Sequence, residues 1–184
     1  MGAPSQEARE GGEGMKVDFF ISMTPPSTTS QQKGAMAWRS KDGRQGVRFY
    51  KKKAAVDAEN TFLSLLQPYA PEEPLEGAVA LKIVFIWEWR KTEPKKNRVN
   101  GYRYKDKRPD ASNIVKLVED CMTTLRFWRD DSQVADLRVV KLWGDRPGVR
   151  IYASELEPIE LKDAVEHRTD GYTPDLFDAL PEGG

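Results

Sequence analysis

Between Ile114 and Leu125 the apolar residues fall at Ile114, Leu117, Val118, Cys121, Met122 and Leu125. This i, i+3, i+4, i+7, i+8, i+11 spacing predicts an amphipathic helix over 112–127 with one side in a core. A one-sided helix needs a layer to cover it, and the chain supplies one nearby. Ala78–Trp89 is rich in valine, isoleucine and aromatics and reads as a long central strand. Lys51–Gln67 repeats the helical pattern with Ala54, Ala55, Ala58, Phe62, Leu65 and Leu66, and Pro68 ends it. Further strands are expected at Val17–Ser22, stopped by Pro25-Pro26, and around Ala37–Arg39 and Val47–Tyr50, split by the Asp42-Gly43 turn signal. Ser27–Gly34 reads as a polar loop. Val134–Trp143 and Val149–Ala153 complete the strands, read as a hairpin through Gly144–Gly148. The expected fold is α+β, a mixed or antiparallel sheet with two main helices packed on it, and no internal repeat is present. One domain over 15–154 accommodates all of this, with a disordered extension at 1–14 and an acidic tail at 155–184. Short helices are expected in that tail near Ile159–Glu166 and Pro174–Leu180.

Composition removes several kinds of chemistry. The single cysteine, Cys121, rules out an internal disulfide and a cysteine-rich zinc site, and its place on the apolar side of the helix marks it as a small core residue. The single histidine, His167, lies in the acidic tail, which argues against a Ser-His-Asp triad or a histidine-rich metal site. No apolar run is long enough to span a bilayer, and the first fourteen residues have no apolar core of the signal-peptide kind, so a cytoplasmic protein with no membrane partner is expected.

The formal net charge of zero conceals a division. Residues 1–14 carry −2 and residues 155–184 carry −7, which leaves +9 on the body between them. That positive charge is concentrated in Arg39–Lys53 and in Arg90–Arg108. The second block holds Arg90, Lys91, Lys95, Lys96, Arg98, Arg103, Lys105, Lys107 and Arg108 against only Glu93 and Asp106, and it runs straight into Asp110. A basic body with an acidic tail suits a polyanion, and these nine side chains are the candidate phosphate contacts. Trp87 and Trp89 could stack on bases, but as members of a strand they fit a core better.

Asp110, Ser112, Asn113, Lys116 and Asp120 occupy the head and polar side of the helix, and Asp130-Asp131 lie beyond its end. Each has an ordinary structural role open to it. Asp110 and Ser112 suit a helix cap, Lys116 and Asp120 an exposed i, i+4 pair, and Asp130-Asp131 a turn. Together they also suit metal-assisted phosphodiester chemistry, in which carboxylate oxygens hold a hard divalent cation. A helix of some fifteen residues is roughly 22 Å long, so Asp110 and Asp131 start at opposite ends. They can share a metal if the chain doubles back beside the helix, or if a dimer supplies one carboxylate from each copy. Converged, Asp110 and Asp131 would hold the metal and Lys116 would offset phosphate charge.

Arg108-Pro109-Asp110, Asn113, Lys116, Asp120, Phe127-Trp128, Asp130-Asp131, Gln133-Val134 and Lys141 fall in the register of the RusA family of Holliday-junction resolvases, which the stretch resembles. Met23-Thr24-Pro25-Pro26-Ser27 also resembles that family's proline-containing segment after its first strand. The resemblance implies a RusA-like homodimer, bacterial or phage-encoded, that uses Mg²⁺ or Mn²⁺ to nick opposing strands of a four-way DNA junction. It carries catalytic roles onto Asp110, Asp131 and Lys116 and makes the nine basic residues of Arg90–Arg108 candidate DNA contacts; Asp120, Asp130 and Ser112 are further candidate metal ligands from their places around the helix. One position departs from the pattern. Ser112 stands where the family has the second aspartate of an Asp-x-Asp pair, and serine is a neutral, poorer ligand. A junction-resolving nuclease and a junction binder that does not cut are therefore both open.

Overall fold

The computed structural model describes residues 14–27, 33–99 and 101–157. In chain order the elements are β1 (Lys16–Ile21), β2 (Lys33–Arg39), β3 (Gln45–Lys51), α1 (Lys53–Leu66), β4 (Val79–Glu88), α2 (Lys95–Arg98), β5 (Tyr102–Tyr104), α3 (Ala111–Thr124), β6 (Val134–Gly144) and β7 (Gly148–Glu155). The expected tail helices, and nearly all of the expected extension, lie outside the described residues.

Five strands form one mixed sheet in the order β1-β7-β4-β6-β5. The central strand is β4, and its side chains from Ile83 to Trp87 are buried on both faces, which accounts for the unbroken apolar run in its sequence. One face carries Leu81, Ile83, Phe85 and Trp87 into a single cluster with Phe62 and Leu66 of α1 and with Ile114, Leu117, Val118, Cys121 and Met122 of α3. The other face holds a smaller patch of Val84, Ile86, Val140 and Leu142. Two main helices on a mixed α+β sheet is the expected architecture.

The strand pairing differs from the expectation in one respect. Val134–Trp143 and Val149–Ala153 do not form a hairpin, because β4 lies between β6 and β7, parallel to the first and antiparallel to the second. The chain from Gly144 to Gly148 instead passes the end of β4. That hop of two strand spacings, about 10 Å, is within reach of a few extended residues. Gly148 permits the landing, since a Cβ there would lie 2.0 Å from the Phe20 ring. The short edge strand β5, inside the basic block, was not expected; neither was the full length of β2 and β3, and the first two residues of β2, Lys33 and Gly34, fall within the expected polar loop. β2 and β3 pair only with each other, as a separate two-stranded ribbon. β7 continues through Glu155, one residue past the expected domain end. The Glu155 carboxylate accepts hydrogen bonds from the backbone N–H groups of Met15 and Glu76.

Parallel pairing of β4 with β6 requires a crossover, and α3 provides it. Its C-terminus closes with Phe127 N–H donating to Met122 O at 3.0 Å and Arg126 N–H donating to Thr123 O at 3.1 Å. This is the paired-bond helix stop, with Arg126 at φ 60° in the left-handed position that usually falls to glycine. The reversal buries Phe127 and Trp128, and the indole Nε1–H of Trp128 donates back to Thr123 Oγ1 at 2.7 Å. The chain then runs back alongside α3. Arg126→Val, which puts a β-branched residue at positive φ, should lower stability by about 1–2 kcal/mol, whereas Arg126→Gly should hold or raise it. Urea denaturation of both variants checks this.

Candidate active site

Asp110 is delivered to the head of α3 by a turn held from one side by two lysines. Lys105 Nζ donates to the carbonyls of Lys107 and Arg108, and Lys141 Nζ, from β6, donates to those of Lys107 at 3.1 Å and Pro109 at 2.7 Å. Lys105 is buried at 6 % exposure, with its ammonium 4.3 Å from the Trp143 ring centroid and 5.0 Å from that of Trp87. Burial, and then the like charge of Lys141, pull its pKa below the ordinary lysine value. Lys105 therefore departs from the expectation of a phosphate contact, because its donors face backbone carbonyls inside the fold. Trp87 and Trp89 are core residues as well, and Trp87 Nε1–H donates to Pro25 O at 2.8 Å.

Asp110 occupies the cap position of α3, yet its carboxylate accepts no bond from the helix N–H groups. It accepts instead from the Asn113 side-chain amide at 3.3 Å. The ordinary capping role is thus not what its side chain does, and the carboxylate remains exposed at the positive end of a helix. Ser112 is exposed in the same first turn.

Lys116 is the hub of the remaining charges. Its ammonium donates to Asp131 Oδ2 and lies 3.2 Å from Asp120 Oδ1. Asp131 follows the reversal after α3, so the chain doubling back beside its own helix brings this carboxylate to the middle of α3. The Asp131 hydrogen bond is the main reason the Lys116 pKa lies above the ordinary lysine value, with burial opposing and Asp120 adding to the rise. A lysine so held stays cationic at neutral pH and has no lone pair to act as a base. Asp130 has a different task. It caps the 3-10 turn Asp131–Gln133, its Oδ1 accepting from Ser132 N–H at 2.9 Å, while Gln133 Oε1 accepts from the Asp130 N–H at 3.2 Å. Its pKa is drawn down by those bonds from Ser132.

Two acidic residues without an expected role also shape the region. Glu119 is buried on α3, and burial, opposed by Lys116 and reinforced by Asp131 and Asp120, raises its pKa. Its position beside the apolar stripe was the signal available in sequence. Glu93 organises the basic block. Its shielded carboxylate accepts from Asn97 Nδ2 at 2.6 Å, from Arg90 Nη2 at 2.6 Å and from Arg103 Nη1 at 2.9 Å. Arg90 and Arg103 keep roughly half of their side-chain surface, at 42 % and 46 % exposure, and Lys91, Lys95, Lys96, Lys107 and Arg108 are exposed. Arg98 is half-buried, with its guanidinium 5.9 Å from the Trp89 ring centroid.

This arrangement lies within a stretch that known proteins share. The sequence model of the family described as Endodeoxyribonuclease RusA matches residues 24–153. The chain belongs to the RusA family. A relative from Lactococcus phage r1t, named crossover junction endodeoxyribonuclease rusA, is 29 % identical over 142 residues, covering 77 % of this chain and 100 % of its own length. The crossover junction endodeoxyribonuclease RusA of Escherichia coli K12 is 41 % identical over 49 residues, 27 % of this chain and 41 % of that protein. An uncharacterized protein of Bacillus subtilis, YqaN, is 29 % identical over 93 residues, 48 % of this chain and 65 % of that protein.

For the divalent cation that RusA membership implies, the donor chemistry fits. Mg²⁺ commonly takes one or two carboxylates and completes its shell with water and substrate phosphate. Asp110 offers a carboxylate its own helix does not use, and Asp131 and Asp120 converge on one positive point. Among the described residues no three acidic, histidine or cysteine side chains gather into a ready cage. Lys116 pairs with one oxygen of Asp131 and one of Asp120. No helix among the described residues is long and apolar enough to cross a membrane.

Glu93 sets a pH dependence. Asn97 first, then Arg90 and Arg103, against burial, lower its pKa from the ordinary 4.5 to about 2. A lowered carboxylate pKa means that this stabilisation is complete above about pH 4.5 and is lost as pH falls towards 2. Tryptophan fluorescence, with Trp89 and Trp143 beside the loop, should report its loosening across that window, and Glu93→Gln should show the loosened signal at neutral pH.

Proposed function

We propose that this chain is a metal-dependent, structure-selective endodeoxyribonuclease that resolves four-way DNA junctions in recombination, repair or phage DNA processing. The observation that carries the reading is the return of Asp131 to Lys116 on α3, within one chain, on a helix whose N-terminal Asp110 keeps a carboxylate that the helix N–H groups do not use. RusA-family membership over 24–153 and the similarity of 77 % of this chain to the whole length of the phage junction endonuclease support it.

Asp110 and Asp131 would hold Mg²⁺ or Mn²⁺, with Asp120 as the nearest further carboxylate. When bound, the ion would supply activation of water and stabilisation of the leaving oxygen. Lys116, permanently cationic, offsets the negative charge that builds on the phosphate as the nucleophile arrives. Lys105 and Lys141 fix the turn that carries Asp110, so they act by positioning. Arg90, Arg103 and the exposed lysines of the same block hold the backbone of the incoming strand. A homodimer fits the substrate, because two equivalent sites can face the two equivalent strands of a symmetric junction.

Ser112 supports a second reading, a junction binder that does not cut. The first turn of α3 lacks the second carboxylate of the family pattern, and Lys116 already claims Asp131 and Asp120. A labelled four-way junction incubated with Mg²⁺, Mn²⁺ or EDTA separates the two. For a nuclease, paired metal-dependent nicks form, and Asp131→Asn and Lys116→Ala slow them by about 100-fold or more. A complex that forms in EDTA and stays uncut with either metal, but is cut by Ser112→Asp, establishes the silent binder. Salt gives a separate check on the basic block. Lys95→Ala with Lys96→Ala should weaken junction binding and flatten the dependence of log affinity on log salt by about two phosphate contacts.

A further inference from the structure

The β2–β3 ribbon stands apart from the main sheet and is not used by the site around Lys116. Its strands pair from Lys33↔Lys51 to Arg39↔Gln45, with no third strand among the described residues. An isolated two-stranded hairpin is marginal in water, and this one leaves Met36, Trp38, Val47, Phe49 and Tyr50 between 46 % and 68 % exposed. Strand alternation and the register divide these side chains between both faces. Met36, Trp38 and Tyr50 lie on one face, and Val47 and Phe49 on the other. Each glycine on the first face sits under an aromatic from the opposite strand. A Cβ at Gly46 would lie 3.0 Å from Trp38 Nε1, and one at Gly34 would lie 2.4 Å from Tyr50 Cζ. Those two cross-strand contacts give the ribbon cohesion on that face, whereas Phe49 is the most exposed apolar residue of the ribbon.

We propose that this ribbon is a wedge that inserts at the branch point of junction DNA. Phe49 and Trp38 stack on bases to either side, and the basic residues around them take the flanking phosphates. Residues 33–53 carry eight Lys or Arg against Asp42 alone, which is the charge complement of a polyanion. The same charge opposes docking on a second copy of this ribbon. Apolar groups on both faces fit an element inserted between two base layers, since a docked surface needs them on one side only. A two-stranded ribbon also has the width to enter a DNA groove, and apolar or aromatic side chains are the usual means of parting a base step.

This inference rests on the junction-binding reading above. The full chain would be titrated in EDTA against a four-way junction with 2-aminopurine at the branch point, and against a linear duplex of the same arm sequence. Phe49 lies off the face that carries the Trp38 and Tyr50 contacts, so Phe49→Ala leaves those contacts in place. The wedge requires Phe49→Ala to bind the junction about 10-fold more weakly and to lose the 2-aminopurine signal, with duplex binding unchanged and Phe49→Trp restoring both. A parent chain that binds the junction alongside a Phe49→Ala variant of equal affinity and equal signal overturns the wedge and leaves the junction reading standing. A Phe49→Ala variant whose mass in light scattering falls to half that of the parent also overturns it, making the ribbon a contact between copies. A parent chain that binds no junction removes the junction reading, and the wedge with it.

Discussion

The parallel pairing of β4 with β6 is the constraint on which the rest of the structure depends. Parallel neighbours cannot be joined by a tight turn, so the chain must leave β4, cross a face of the sheet and re-enter at the same end. The crossover contains the basic block, the lysine-held turn, α3 and the reversal at Arg126. The candidate site lies on it, apart from Lys141, which β6 supplies. Because α3 runs antiparallel to both strands, its end is close to the start of β6, and the short link between them is what brings Asp131 back alongside the helix. Burial of the α3 stripe against β4 and α1 holds the helix in place, and twelve of the largest wholly buried side chains, among them Trp128, Phe62 and Phe85, are well placed to resist any slip.

Charge is arranged on that frame in two opposite ways. Lys105 and Lys141 are cations turned inward onto backbone carbonyls, where aromatic faces and oxygen dipoles replace water. Glu93 is an anion turned inward under a positive loop, where it limits the repulsion among Arg90, Arg103 and their neighbours and holds their guanidiniums in defined positions. The first arrangement aims Asp110 and the second presents the basic block. Lys105 and Glu93 both lie within the Arg90–Arg108 block, so the outward and inward members of that basic run cannot be told apart by composition.

The region around Lys116 has the economy of a site that lacks one expected charge. Three aspartates and one lysine stand on or beside α3, and Ser112 stands in its first turn, where the family resemblance leads to the expectation of an acid. In the proposed chemistry an arriving cation would compete with Lys116 for the Asp131 and Asp120 oxygens, so metal affinity and the freedom of Lys116 to meet phosphate are linked. The ribbon adds a second basic, aromatic surface on a separate sheet, joined to the main body through α1.

Much of this was legible in the residues. The period of α3 and the apolar run of β4 expressed burial directly, because each side chain's exposure follows from helical or strand geometry. The RusA-family stretch from Arg108 to Lys141 was equally plain. Pairing order was not, since β6 and β7 carry the same alternation whether they neighbour each other or flank β4, and a three-residue link serves either arrangement. Nor could spacing say that Asp110 leaves its helix uncapped, that Asp130 caps a 3-10 turn, or that Lys105 is buried while Lys107 is exposed. Local periodicity depends on which face of an element is wet, and so it is written along the chain. Partners for a carboxylate or an ammonium come from segments distant in sequence, and they meet only when the crossover has folded over the sheet.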